Sequence, residues 1–132
     1  MKMMAASMKT EGGSRETGRA IYSQILENSG DPMVRLTADR RLKELDSLDE
    51  REAIDRVLAE FKERSGHCVN NFTEIIPMLM TVKLPGNKEF RVNTANQLVD
   101  PTDVPYLLDK NDCRAKLDLE HTGLPADAGS KK

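Results

Sequence analysis

The sequence predicts an α+β fold in which helices come first and short strands follow. Apolar residues recur at helical spacing through residues 16–79, whereas from residue 83 onward short apolar runs alternate with turn signals. Aromatic residues make up only 4% of the 132 residues and Trp is absent, so the core must be mainly aliphatic. We therefore expect an N-terminal helical hairpin, a long third helix, a short fourth helix and a small antiparallel sheet of three to four short strands.

The first two predicted helices form a hairpin. Helix one covers residues 16–28, where apolar residues share one stripe, and the pair Ser29-Gly30 ends it. Helix two follows directly, because Asp31 is a suitable N-cap and Pro32 is tolerated at the first helical position. A two-residue connection turns helix two back against helix one.

The third helix is predicted from a capping-box pattern, Ser47-Leu48-Asp49-Glu50, followed by an apolar face that ends near Gly66. The sequence leaves open whether this helix is separate from helix two or continues it, because neither Asp46 nor Ser47 strictly breaks a helix. A shorter fourth helix is predicted after Asn71, which supplies its cap, and Pro77 is expected to kink or end it.

Four strand candidates follow, at residues 89–92, 97–99, 104–108 and 114–119, with a turn over 93–96 between the first two. The last candidate alternates polar and apolar residues with the period of two that a half-buried strand requires. We expect the sheet to pack on the third and fourth helices.

Residues 98–109, which we call the clasp, read Leu-Val-Asp-Pro-Thr-Asp-Val-Pro-Tyr-Leu-Leu-Asp. Pro101 and Pro105 each fix one backbone dihedral angle and favour an extended conformation in the preceding residue, so the segment enters and leaves a turn by geometry alone. We assign Asp100, Pro101, Pro105 and Tyr106 a structural role: the tyrosine packs in the core and the aspartate caps the turn.

The predicted domain organisation is a disordered N-terminal tail at 1–14, one α+β domain at 15–122 and a flexible C-terminal tail at 123–132. Within the domain, residues 15–66 are predicted helical, and residues 67–122 contain the short helix and the β region.

Composition disfavours two classes of partner. Twenty basic and 22 acidic residues give a net charge of −2, and few aromatic side chains are present to stack on bases, so nucleic acid is not expected as a ligand. No apolar run approaches the ~20 residues of a membrane span, and the N-terminal residues lack the apolar stretch of a signal peptide.

All the cysteines and histidines of the chain are His67, Cys68, Cys113 and His121. Their spacing does not fit a zinc site, since the first pair is adjacent and the second is eight residues apart. A disulfide between Cys68 and Cys113 is favoured over zinc if the protein is exported; otherwise both remain reduced thiols. A small metal-dependent or thiol enzyme using His67, Cys68 or His121 is kept as an alternative.

Oxygen ligands of the kind that calcium prefers gather in the β region. The spacing and central glycine of an EF-hand are missing, and turns use the same residue types for their own backbone hydrogen bonds, so turn chemistry is the preferred explanation. The calcium candidates are Asp100, Asp103, Asp109, Asn111 and Asp112. We predict no catalytic residue and no cofactor.

Three segments together resemble a known arrangement: AIDRVLAEFKERSGH at 53–67, NNFTEIIP at 70–77 and the clasp. Their order is similar to the globular part of type II secretion pseudopilins. The helical segment 20–45 looks more like uncharacterised bacterial proteins in which tetratricopeptide-like helices precede a D-P-x-G-x-P-Y element. Asp103 stands where that element has glycine, and the chain lacks the apolar helix that anchors pseudopilins, so their filament assembly is not carried over. Their calcium site is not carried over either, because the loop after Asp109 does not match their pattern.

The resemblance implies an exported or envelope-associated protein with a structural or binding role. We therefore expect a protein-interaction module, with an unidentified protein as partner and self-association as a further option. The alternatives are a pseudopilin-like secretion-system fragment without its membrane anchor, and the small enzyme considered above.

Overall fold

The computed structural model describes residues 2–124, with side chains from residue 15 onward except that of residue 87. Three α-helices are followed by two small antiparallel sheets of two strands each, so the predicted α+β class is confirmed. Contacts divide the chain into two compact units, Met1–Leu45 and Asp46–Lys132. Within the described residues, no helix is long and apolar enough to cross a membrane.

The first unit contains helix α1, Lys2–Asn28, and the beginning of helix α2, Pro32–Ser65. The predicted caps between the two helices are present: the Asp31 carboxylate accepts a hydrogen bond from the backbone N–H of Met33 at 2.9 Å. Helix α1 begins before the predicted start at residue 16 and includes residues 2–14, which the sequence analysis assigned to a tail. The predicted C-terminal tail lies almost entirely outside the described residues.

Predicted helices two and three are one continuous helix, α2, which supplies residues to both units. The capping box at Ser47–Glu50 was therefore wrongly assigned to a helix start. Ser47 and Glu50 instead continue the apolar face of the helix toward Ile54 and Leu58, and all four side chains are buried. The helix ends as predicted at Gly66, whose N–H donates to the Lys62 carbonyl at 2.8 Å.

The short fourth helix is divided into a 3-10 helix, Phe72–Glu74, and helix α3, Ile76–Leu79. Asn71 caps the first part as predicted, since its side chain accepts a hydrogen bond from the N–H of Thr73 at 2.9 Å. Pro77 lies at the beginning of α3 instead of ending a helix, because its ring suits the first helical turn, where no N–H partner is needed.

The four strands are β1 (Arg91–Val92), β2 (Leu98–Val99), β3 (Leu107–Asp109) and β4 (Arg114–Lys116). They form two separate hairpins, β1–β2 and β3–β4, instead of one sheet. One isolated bridge, between Val99 at the end of β2 and Pro105 before β3, connects the two hairpins. It does not extend into a continuous sheet, because proline has no N–H to donate to a neighbouring strand.

One hydrophobic core holds the second unit together. It contains the buried face of α2, the short helices, and inward residues of both hairpins, including Ile54, Leu58, Ile75, Leu79 and Leu98. The backbone N–H of Ala115 in β4 donates to the Asp55 carboxylate on α2 at 2.8 Å, which ties the second hairpin to the helix. Helix and strands therefore share one core, as predicted.

Candidate functional site

Exposed apolar side chains lie on both helices of the first unit, and the part around Met33 and Val34 is called its apolar face. Met33 is 68% exposed, Leu36 53%, Ile21 50% and Val34 41%, and Leu119, Met80 and Leu107 of the second unit are exposed to a similar degree. Within residues 15–45 only Ala38 is a buried apolar residue.

A groove of about 260 Å³ lies on this apolar face, between the end of α1 and the beginning of α2. It offers little polar chemistry, because the Thr37 hydroxyl already donates to the carbonyl of Met33 at 3.0 Å. The groove is lined by Tyr22, Ile25, Met33, Val34, Thr37 and Ala38. This arrangement can bind an apolar surface.

The hairpin turn holds the two sides of the groove in place. The Arg35 guanidinium donates to the backbone carbonyl of Leu26, and it lies 3.5 Å from the carbonyl of Ser29. This side chain therefore occupies backbone acceptors at the end of α1, which a helix otherwise leaves to solvent. It joins the last turn of α1 to the first turns of α2.

The first part of α2 carries more basic than acidic residues. Between residues 32 and 45, helix α2 carries four basic and two acidic residues. Asp39 pairs with Lys43 at 3.3 Å and Glu44 pairs with Arg41 at 3.1 Å, while Arg40 is exposed. Over both helices of the hairpin, residues 15–45 carry six basic and five acidic side chains, so the excess of positive charge is one.

The clasp meets helix α2 through a buried polar cluster in the second unit. The Tyr106 hydroxyl donates to Glu50 Oε1 at 2.6 Å and lies 2.9 Å from Ser47 Oγ. Burial raises the pKa of Glu50 to about 7, although the Tyr106 hydrogen bond and Arg91 oppose this shift. The pKa of Tyr106 is raised as well, first by burial and then by the Glu50 charge. The sequence analysis assigned Ser47 and Glu50 to a helix cap and missed this cluster.

Among the calcium candidates, Asp100 is engaged by the turn of the clasp. Its Oδ1 accepts from the N–H of Thr102 at 2.6 Å and of Val104 at 3.2 Å, and its Oδ2 accepts from the Thr122 hydroxyl at 2.5 Å. Asp103 lies in the same turn with a positive φ of 69°, a conformation that aspartate tolerates better than most residues.

Of the other three candidates, Asp109 ends β3, and Asn111 and Asp112 lie in the turn between β3 and β4. Asp109 Oδ1 accepts from the backbone N–H groups of Asn111 and Asp112, and its Oδ2 lies 2.8 Å from Lys116 Nζ, whose hydrogen bond is the main cause of the lowered pKa of Asp109. In the part of the chain that the structure describes, no group of three or more His, Cys, Asp or Glu residues is placed to hold a metal ion.

The two cysteines are joined as a disulfide, with 2.08 Å between their sulfur atoms. The bond leaves neither Cys68 nor Cys113 as a free thiol for zinc or for nucleophilic attack. His67 Nδ1 contacts the carbonyl of Cys68 at 3.0 Å, whereas His121 lies 2.9 Å from Asp118, which raises the pKa of His121. The four residues therefore do not assemble around a common point.

Comparison with models of protein families, with curated proteins and with solved structures found no match to this chain.

Proposed function

We propose that this chain is a protein-interaction module and that its docking surface is the apolar face of the first unit. The partner is an amphipathic helix of another protein, with acidic residues beside its apolar stripe. The observation that carries the proposal is the apolar groove of the helical hairpin, where Met33 and Val34 are exposed. An exposed apolar face of this kind is typical of interaction surfaces.

The shape and chemistry of the groove favour a helix as the occupant. Two antiparallel helices leave a channel into which a third helix can pack its side chains. An extended segment would need partners for its backbone N–H and carbonyl groups, and the groove lining supplies few of them. A helix satisfies these groups internally and presents only its apolar stripe.

Charge selects among possible helices. The surplus of basic side chains on α2 beside the face attracts acidic residues and repels basic ones. Acidic residues on either side of the partner's stripe would therefore add to the affinity and fix the orientation of the helix.

We also propose an exported or envelope-associated context. The disulfide between Cys68 and Cys113 supports it, because such bonds persist in oxidising compartments. The likeness of the clasp to pseudopilin-type segments points the same way.

Two synthetic peptides test the docking proposal. Both have one leucine stripe at helical spacing; one carries glutamates beside the stripe and the other lysines. In titrations of the full chain followed by NMR, we expect the glutamate peptide to shift the methyl signals of Met33 and Val34 and to bind at least about tenfold more tightly than the lysine peptide. Equal binding of the two peptides, or no binding of the glutamate peptide, would contradict the proposal.

Matched variants locate the surface. Met33→Asp places a charge in the groove and should abolish binding, whereas Leu119→Asp, at a similarly exposed apolar residue of the second unit, should leave it unchanged. Circular dichroism checks that both variants fold. Sedimentation of the wild-type chain identifies a second copy as occupant: a dimer that Met33→Asp dissociates would overturn the proposed heterologous partner.

A further inference from the structure

Glu50 occupies an unusual place for a carboxylate, in the middle of helix α2 and only 3% exposed. It accepts a hydrogen bond from Tyr106, which belongs to the clasp, so this one carboxylate joins the helix to the clasp. Buried carboxylates at such a junction are costly unless they are paired or protonated.

The hydrogen bonds around Glu50 run in one direction. Tyr106 has a single hydroxyl proton, which it donates to Glu50, so the bond between Tyr106 and Ser47 must be donated by Ser47. Ser47 Oγ in turn accepts from Arg51 Nε at 3.2 Å. In this series of hydrogen bonds, which runs from Arg51 through Ser47 and Tyr106, each donor points toward the Glu50 carboxylate, which is the last acceptor.

Charged groups face Glu50 from each segment packed around it. On α2, Asp46 lies one turn before it, and the clasp contributes Asp100; both negative charges oppose ionisation of Glu50. Arg91 in β1 favours ionisation, with its Nε 3.8 Å from Glu50 Oε2 and its second terminal nitrogen 3.9 Å from Asp46 Oδ2. Lys88 is committed to Asp46 at 2.7 Å.

We propose that Glu50 is a proton-operated latch, which holds the clasp on helix α2 when the carboxyl is protonated and loosens it when the carboxyl is ionised. With the proton on Oε2, the carboxyl still accepts the Tyr106 hydrogen bond through Oε1. Arg91 is then left to pair with Asp46, which already lies within reach. Ionisation of Glu50 adds a buried negative charge to those of Asp46 and Asp100, and the Arg91 guanidinium beside it is half-exposed.

The direction of the pH effect follows from linkage. Burial raises the pKa of Glu50 from 4.5 to about 7 in the folded chain. Between these values the folded state holds a proton that the unfolded state has released, so the free energy of unfolding decreases as pH rises through this window. The contribution of Glu50 to the stability of the clasp is fully present below pH 4.5 and is lost as the pH rises through the folded pKa.

Hydrogen exchange on the full chain tests the latch through two amides of the clasp. The N–H of Asp100 donates to Val104 and that of Tyr106 donates to Leu98. After correction for intrinsic exchange rates, we expect the opening equilibrium to increase ~10²-fold from pH 5 to pH 8. In Glu50→Gln the increase should vanish, whereas Glu60→Gln, the same change at an exposed residue of α2, should behave as wild type.

Carbon-13 NMR of the glutamate carboxyl groups gives a readout on the unaltered chain. We expect the Glu50 carboxyl to titrate near neutrality, well above the exposed glutamates. A midpoint near the ordinary value of glutamate, or an unchanged pH dependence of clasp exchange in Glu50→Gln, would overturn the proposal. The experiment does not involve the apolar face of the first unit, so its outcome is independent of the docking proposal.

Discussion

Tyr106 combines two contributions to stability in one side chain. Its ring belongs to the hydrophobic core of the second unit, and its hydroxyl is held between Ser47 and Glu50. The ring contribution is non-directional, whereas the hydroxyl fixes where the clasp meets α2. The two contributions can be separated by substitution.

Tyr106→Ala should lower the free energy of unfolding by about 3 kcal/mol or more, because it removes a core aromatic ring and leaves a cavity. Tyr106→Phe keeps the ring but leaves Glu50 and Ser47 without their partner, so we expect a loss of about 1–3 kcal/mol. Urea unfolding measures both. Tyr22→Phe removes the chain's other tyrosine hydroxyl and should change stability by less than about 0.5 kcal/mol. Equal stability of wild type and Tyr106→Phe would show that the hydroxyl contributes nothing.

At the scale of elements, the end of helix α2 depends on one backbone conformation. Gly66 has φ +85°, in the left-handed region where a side chain is strained, yet no atom lies within 4 Å of the position that a Cβ would take. Gly30 follows α1, has the same open surroundings and does not adopt a positive φ. Because neither position has a steric clash, a comparison of the two glycines isolates the effect of backbone strain.

Gly66→Ala should reduce the free energy of unfolding by about 1 kcal/mol, because the added Cβ disfavours the left-handed conformation. Gly30→Ala should be neutral within about 0.5 kcal/mol. Chemical denaturation followed by circular dichroism compares the two variants. A loss of equal size at both positions would show that the positive φ of Gly66 is not the cause.

The elements that sequence predicts well are those set by local chemistry. Asp31 and Asn71 cap helices as predicted, and Asn93 accepts from Ala95 and Gln97 in the predicted turn between β1 and β2. The capping box at Ser47 fails because burial decides the outcome there. Ser47 and Glu50 are three residues apart and lie on the same stripe as Ile54, so they continue the buried face of the helix. This helical spacing was the signal in the sequence that pointed to their burial.

The candidate site was predictable only in part, for the same reason. The apolar stripes of the hairpin are visible in the sequence, but periodicity cannot tell whether a stripe packs inside the chain or remains exposed. Met33 and Leu36 are exposed because two helices offer too little surface to cover them. Likewise Leu119 continues the alternating pattern of β4 but is exposed, since the strand ends at Lys116.

At the scale of the whole molecule, the two units differ in what stabilises them. The second unit has a continuous apolar core and a covalent cross-link, and the described part of the first unit has one buried apolar residue. The same contrast supports assigning docking to the first unit, because bound partner surface would supply the burial that it lacks. The cross-link allows the two units to be distinguished experimentally.

Removing the disulfide should destabilise the second unit in particular. Cys68 and Cys113 are 45 residues apart, and closing a loop of this length in the unfolded chain corresponds to about 4 kcal/mol in the chain-entropy model. Each unit contains one tyrosine, Tyr22 or Tyr106, so fluorine-labelled tyrosine reports the two units separately. In the double variant Cys68→Ala/Cys113→Ala, the urea midpoint of the Tyr106 signal should fall markedly and that of Tyr22 should fall less, because no cross-link lies in the first unit. An unchanged Tyr106 midpoint would mean that the core alone stabilises the second unit.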